Sequence, residues 1–188
     1  MCRIRPIDAG GPNVCAFLDM LAVSEIGARM LAMTDDGYDV IVGSTPQHPS
    51  LMKSYADHPR QLVRLPALGI KSTAAGRYQF IERTWDGLAK SLGFAPRAMN
   101  FEPQSQDRAC IELLRQIKAY PQIAGGNIEG AIRIANGTWA SLPGAGFGQH
   151  ENRMSDLVRI FMARFEHYRS PDFSNVQAGV ESTAKAET

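Results

Sequence analysis

Cysteine is scarce in this chain, and the little there is does not pair. Cys2, Cys15 and Cys110 form an odd, irregularly spaced set among 188 residues. That argues against a disulfide framework and against a structural zinc site. Histidine is nearly as sparse. His48 and His58 stand in no metal-ligand spacing, read as surface loop residues, and no H-E-x-x-H of a zinc peptidase occurs. Charge of one sign is missing too: the formal net charge is +1 and the pI about 7.8, so nucleic acid is not an expected partner. No apolar run approaches the roughly 20 residues that span a bilayer, which excludes membrane insertion through a helix. Arg3 and Arg5 are not followed by an apolar core, so the N-terminus does not read as a secretory signal and the protein is expected in the cytoplasm. The stretch 69–76, GIKSTAAG, lacks the G-x-x-x-x-G-K-[ST] order of a phosphate loop. Internal repeats and a domain-dividing linker are also lacking.

What is present suits one globular domain. The chain is 44% hydrophobic and 21% charged, enough for a sizeable core. Residues 1–12 read as an irregular arm. A helix is expected over 13–25, with Val14, Phe17, Leu18 and Leu21 on one face, Asn13 as its cap and Gly27 as its stop. A further helical turn over 29–33 ends in the Thr34-Asp35-Asp36-Gly37 turn. Residues 38–42 are β-branched and aromatic and read as a short strand, with 61–65 as its partner. Loops over 44–60 and 67–76 follow. Helices are expected over 78–92, over 101–120 with Cys110, Leu113, Leu114 and Ile117 inward, over 128–135 capped by Asn127, and over 151–168. The domain is therefore drawn as 1–169, and 170–188 reads as a polar, mobile tail.

Glu25 falls at the end of the first long helix. There the negative end of the helix dipole disfavours its ionised form, and an apolar wall would act in the same direction. A carboxyl held protonated near neutral pH is what a general acid requires. For a glutamate at a helix end, a solvated side chain is the commoner arrangement. Asp39 interrupts the apolar 38–42 stretch, which suits either an edge facing water or a second acid. The loop 138–149, TWASLPGAGFGQ, concentrates glycine and aromatic residues in a way that suits sugar stacking, and Trp139 and Gln149 are its expected substrate contacts. Trp139 could equally plug the core. Cys15, near a helix start, is the alternative nucleophile, with His58 or His150 as base in a cell-wall amidase or peptidase.

The strings SEIGARMLAMTDDGYDVIVGS (24–44), YADHPR (55–60), KSTAAGRYQF (71–80) and WASLPGAGFGQHE (139–151), in that order, carry a resemblance. Together they resemble the phage lambda-type lysozymes, endolysins of glycoside hydrolase family 104 that act as peptidoglycan lytic transglycosylases. The resemblance runs from about residue 17 to 167. It implies an α+β, lysozyme-like fold, mainly helical, with a small β-sheet or hairpin beside the active-site cleft. It gives Glu25 of the Ser24-Glu25 pair the catalytic role and lines the saccharide cleft with Arg77, Tyr78 and Gln79. Ser24 and Tyr38 join them as expected substrate contacts. It further implies no cofactor, no metal, and peptidoglycan glycan strands as substrate. The enzyme would be a monomer that waits in the host cytoplasm until a separate holin-like protein releases it to the periplasmic wall. A two-carboxylate lysozyme using Glu25 and Asp39 stays open beside this, as does a non-catalytic saccharide-binding protein on the same fold.

Overall fold

One helix is the axis of the fold. In the computed structural model, which describes residues 1–94 and 100–170, α2 (Pro12–Ile26) follows a one-turn helix, α1 (Pro6–Ala9). The periodic pattern predicts one buried face, yet all residues of 14–22 are buried. The reason is that helices close around α2 from several sides, and a helix apolar all round belongs inside. Its start also differs from expectation. Pro12 opens the first turn, where its missing N–H costs nothing. Asn13 instead donates from Nδ2 to the Ala124 carbonyl at 3.2 Å. Gly27, at φ 85°, ends the helix as expected.

After α3 (Ala28–Met33), residues 34–43 turn repeatedly instead of extending. Tyr38 N–H donates to the Asp35 carbonyl and Val40 N–H to that of Gly37. These turns consume the donors a strand would need. Only single bridges remain there, Val40 to Leu51 and Ile41 to Ala75, so the strand expected over 38–42 does not form. Residues 61–65 consequently find another partner. β1 (Val63–Leu65) pairs antiparallel with β2 (Ile70–Ser72), in the register Val63 to Ser72. The link is a 3-10 turn at Pro66–Leu68 with Gly69 left-handed at φ 66°, inside what the sequence presents as plain loop.

The rest is helical: α4 (Glu82–Ser91), α5 (Pro103–Gln116), α6 (Tyr120–Ala124), α7 (Ile128–Ala135) and α8 (Met154–Arg169). α4 begins four residues later than expected, because 73–80 is folded as turns around the bridge between Ala75 and Phe80. Asn127 caps α7 as predicted, accepting from Gly130 N–H at 3.1 Å. α8 lies along α2 and buries Leu157, Phe161 and Tyr168. Trp85 meets the Phe101 ring edge-on, with centroids 4.5 Å apart.

The N-terminal arm is not loose. Cys2 N–H donates to Asp19 Oδ1 at 2.7 Å, and the N–H groups of Arg3 and Ile4 donate to Asp107 Oδ2 at 2.6 and 2.8 Å. Two buried carboxylates thus fix the arm to α2 and α5. Of the tail expected over 170–188, residues 171–188 lie outside the described residues.

Candidate active site

The last turn of α2 delivers Ser24, Glu25 and Ile26 to the wall of a groove. The hairpin and the 34–43 turns form one side and the 138–149 loop the other. Between them is a cavity of about 270 Å³, lined among others by Glu25, Val40, Ile41, Gln79, Trp139 and Gln149. Among the described lining residues Glu25 is the sole titratable one. Apolar side chains crowd it, and burial pushes its carboxyl above the ordinary carboxylate range. Hydrogen bonds from the hydroxyl and backbone N–H of Ser141 pull the other way without cancelling that effect. A raised carboxyl facing a groove is suited to give up a proton and take one back.

Glu25 is held by a small polar network. Ser141 Oγ donates to Glu25 Oε1 at 2.5 Å, and Ser24 Oγ lies 2.6 Å from Ser141 Oγ. Asn152 Nδ2 reaches Ser24 Oγ at 3.0 Å and the carbonyls of Ser24 and Ser141 at 3.3 and 3.2 Å. Ser24 therefore steadies the site from behind, where a direct substrate contact was expected. Ser141 and Asn152 were missed by sequence reasoning. Ser141 stands inside the 139–151 string, two residues from Trp139, and its hydroxyl was the available signal. Asn152 carries no local sign of its role.

The expected substrate contacts divide. Gln79 and Gln149 line the cavity. Gln79 is held by its own donation from Nε2 to the Gly76 carbonyl at 2.9 Å. Trp139 plugs the core and also borders the cavity. Its ring is 3% exposed and its Nε1–H donates to the Tyr78 carbonyl at 3.0 Å, while one edge borders the cavity. Tyr38, Arg77 and Tyr78 do not reach the groove. All three are buried beneath it. The phenols of Tyr38 and Tyr78 donate to Asp107 Oδ1 at 2.8 and 2.6 Å. Arg77 pairs with Asp19 at 2.6 Å and donates to the Asp36 carbonyl. A guanidinium and a carboxylate taken out of water must satisfy each other, which is why these residues turn inward. Asp19 and Asp107 were missed as well. Their signal was an acid placed among residues that the apolar pattern puts inside.

Asp39 lies outside the lining of the cavity. Its Oδ1 accepts from Asp35 N–H at 3.2 Å and its carbonyl accepts from Met52 N–H at 2.7 Å. Partial burial raises its carboxyl as well. The thiol reading meets a firmer obstacle. Cys15 is fully buried in α2, with its Sγ directed to the Ile4 carbonyl. His58 is not the surface residue expected, being 2% exposed. Its Nδ1 accepts from Arg60 N–H at 3.1 Å, so Nε2 carries the hydrogen and donates to the Phe80 carbonyl at 2.8 Å. Both ring nitrogens are occupied by backbone, and burial lowers its basicity. His150 is exposed on the 138–149 side. Neither histidine can therefore serve the buried Cys15 as base.

Comparison with known proteins places the chain in a family. A family model described as Endolysin matches residues 15–166. The endolysin of Escherichia phage P2 is 42% identical over 153 residues, covering 79% of this chain and 90% of that protein. The endolysin of Escherichia phage lambda is 45% identical over 148 residues, covering 78% and 87%. Among solved structures, bacteriophage lambda lysozyme complexed with a chitohexasaccharide superposes with a TM-score of 0.71 at 39% identity, covering 87% of this chain and 97% of that one. A second structure of the lysozyme from bacteriophage lambda gives 0.66 at 38% identity, covering 90% and 98%. The chain thus shares the α+β, mainly helical lysozyme-like fold.

Proposed function

The chain belongs to the endolysin family of phage proteins, lysozyme-like enzymes that degrade peptidoglycan, and on that premise we propose that it cuts the glycan strand by lytic transglycosylation. The bond is the β-1,4 link between N-acetylmuramic acid and N-acetylglucosamine. Glu25, protonated at rest, gives its proton to the bridging oxygen as the bond to the muramic C1 breaks. Positive charge spreads over C1 and the ring oxygen, as in glycoside hydrolysis generally. The ionised Glu25 then takes the proton of the same sugar's C6 hydroxyl, and that oxygen closes on C1. The product is a 1,6-anhydro sugar. No water is consumed, and Glu25 ends protonated as it began.

The observation that carries this reading is the solitary carboxyl. A retaining glycosidase sets a second carboxyl about 5–5.5 Å from the acid, and an inverting one about 6.5–9.5 Å away. In this cavity the described lining residues supply Glu25 alone, and Asp39 is tied into the 34–43 turns. An internal hydroxyl as acceptor makes one carboxyl sufficient. The chitohexasaccharide bound by the lambda relative supports a glycan strand as the occupant of this groove. Gln79, Gln149 and the edge of Trp139 are the proposed contacts.

The proposal includes a monomeric enzyme needing no cofactor, with residues 1–169 as the catalytic unit. No described helix is long and apolar enough to cross a membrane. We assign passage from the host cytoplasm to the periplasmic wall to a separate membrane-permeabilising protein of the holin kind. The test is mass spectrometry of muropeptides released from purified peptidoglycan. Products one water lighter than reducing muropeptides, and inert to borohydride, are expected. Reducible products that carry oxygen from labelled water would overturn transglycosylation and make the enzyme a hydrolase.

A further inference from the structure

The polar network behind Glu25 has a direction, and the direction can be read from its far end. Asn152 Nδ2 faces two backbone carbonyls, those of Ser24 and Ser141. Carbonyls only accept, so this atom must be the amide nitrogen, and the orientation of the side chain is fixed. Its contact with Ser24 Oγ at 3.0 Å is then one in which Ser24 accepts. Ser24 keeps its own hydrogen for Ser141 Oγ, 2.6 Å away. Ser141, receiving there, spends its single hydrogen on Glu25 Oε1 at 2.5 Å. Every hydrogen in the chain points from Asn152 toward the carboxyl.

From this we infer that Asn152 is a positioning residue for proton transfer: through Ser24 and Ser141 it commits Glu25 Oε1 to accepting and so places the transferable proton on Oε2. A proton on Oε1 would face the Ser141 hydrogen across 2.5 Å, two donors with no acceptor between them. Asn152 also holds the pieces together, because its backbone N–H donates to the Ser141 carbonyl at 2.8 Å. It does not line the cavity, so it acts on the acid and not on the sugar. The inference rests on Glu25 being the proton donor to the scissile bond.

Reversing the far end provides the test. In Asn152→Asp the new carboxylate can only accept. Ser24 would turn its hydrogen to that carboxylate and accept from Ser141, and Glu25 would lose its hydroxyl donor while keeping the Ser141 backbone N–H. Its proton would then settle on Oε1, directed at Ser141 and away from the substrate. The expected result on soluble glycan strands is a fall in kcat on the order of tenfold or more, with KM unchanged. The Glu25 pKa, followed by carbon-13 NMR of the labelled carboxyl, should rise. Asn152→Ala, which removes the anchor without reversing the chain, should lower kcat less and leave that pKa near the wild-type value.

An introduced charge also acts through space, so the deciding variant is the double, Asn152→Asp with Ser24→Ala. Without the Ser24 hydroxyl the reversal cannot travel. Recovery of most of the Glu25 pKa shift relative to Asn152→Asp supports the chain. A shift unchanged by Ser24→Ala overturns it. Among the described residues the buried thiol of Cys110 also feels Glu25, and burial pushes its own pKa far up, so it stays neutral through the titration of the carboxyl. If the products of the wild type are reducing sugars, transglycosylation falls, yet the NMR titration still decides the hydrogen-bond chain.

Discussion

Arg77 Nη2 lies 2.6 Å from Asp19 Oδ1, and the two side chains are 2% and 1% exposed. This pair ties the turn that precedes α4 to the middle of α2, the helix that ends in Glu25. Breaking a buried pair from one side leaves a charge without a partner in a poor solvent, at a cost of about 3–5 kcal/mol. Arg77→Met should therefore unfold at much lower denaturant concentration than the wild type. Replacing both partners, as Arg77→Met with Asp19→Leu, should recover much of the loss, since no orphan charge remains. Equal destabilisation of single and double variants in chemical denaturation would show that the pair matters for its other contacts, those of Asp19 with Cys2 N–H and the Tyr168 hydroxyl.

Tyr38 and Tyr78 make the same point about substrate contact. Their hydroxyls converge on Asp107, whose carboxyl is raised by burial and held down again by those two phenols. Tyr38→Phe and Tyr78→Phe each remove a donor to a buried acid and should cost about 1–3 kcal/mol of stability. Activity per folded molecule, measured well below the melting temperature, should stay near that of the wild type. A raised KM with unaltered stability would return either tyrosine to the sugar-binding groove.

Glu25→Gln keeps shape and hydrogen bonding but cannot transfer a proton. Its lytic activity should fall by about 10²–10⁴-fold or more on purified cell wall. The same variant has a signature in stability. A carboxyl whose folded pKa lies above its unfolded one binds more protons folded than unfolded in the interval between them. Stability then falls as pH rises through that interval, and its contribution is complete only below the unfolded value. The variant lacks this titration, so its melting temperature relative to the wild type should climb from acidic toward neutral pH. A constant difference across that range would mean that Glu25 ionises as freely in the fold as outside it.

The thiols should be dispensable. Cys15 and Cys110 are buried, and the Cys15 Sγ is directed at the Ile4 carbonyl. Exchanging all three cysteines for alanine should leave the specific lytic rate unchanged once any loss of folded fraction is corrected for. Chelation by EDTA should not slow cleavage of isolated peptidoglycan. Loss of turnover in a fully folded Cys15→Ala protein would restore the nucleophilic thiol.

Regular elements were readable where periodicity and capping agreed. α7 shows both, with Asn127 at its start and Ile128, Ala131, Ile132 and Ala135 buried. α8 shows the stripe alone, and that was enough. The hairpin was readable only as a kind of element. With strands of three residues, Val63–Leu65 and Ile70–Ser72 carry almost no pattern, and the richer 38–42 stretch went into turns. Within the candidate site, Glu25 was singled out by the resemblance of the Ser24-Glu25 pair, since a helix end alone favours a solvated side chain. Its support was not. Ser141 and Asn152 lie 116 and 128 residues from the Ser24-Glu25 pair they serve, and Tyr38 lies 69 from Asp107. A hydroxyl in a loop or an acid on an apolar face marks a candidate, but over such separations nothing local names its partner.

Asp39 is where the two glycosidase chemistries part. As a second catalytic carboxyl it would have to face the cavity with Glu25, but its Oδ1 accepts from Asp35 N–H and its backbone carbonyl from Met52 N–H. The first bond closes the 34–43 turns on themselves, and the second holds them against the 50–52 segment. Asp39→Asn preserves an acceptor oxygen for Asp35 and removes only the charge. We therefore expect a modest loss, much smaller than that of Glu25→Gln, with the products still anhydro sugars. Asp39→Ala should lose more, because the turn loses its acceptor, and that further loss should accompany a lower melting temperature. A catalytic partner would behave otherwise. Asp39→Asn would then match Glu25→Gln in activity while keeping full stability, and added azide would restore turnover by standing in for the missing carboxylate.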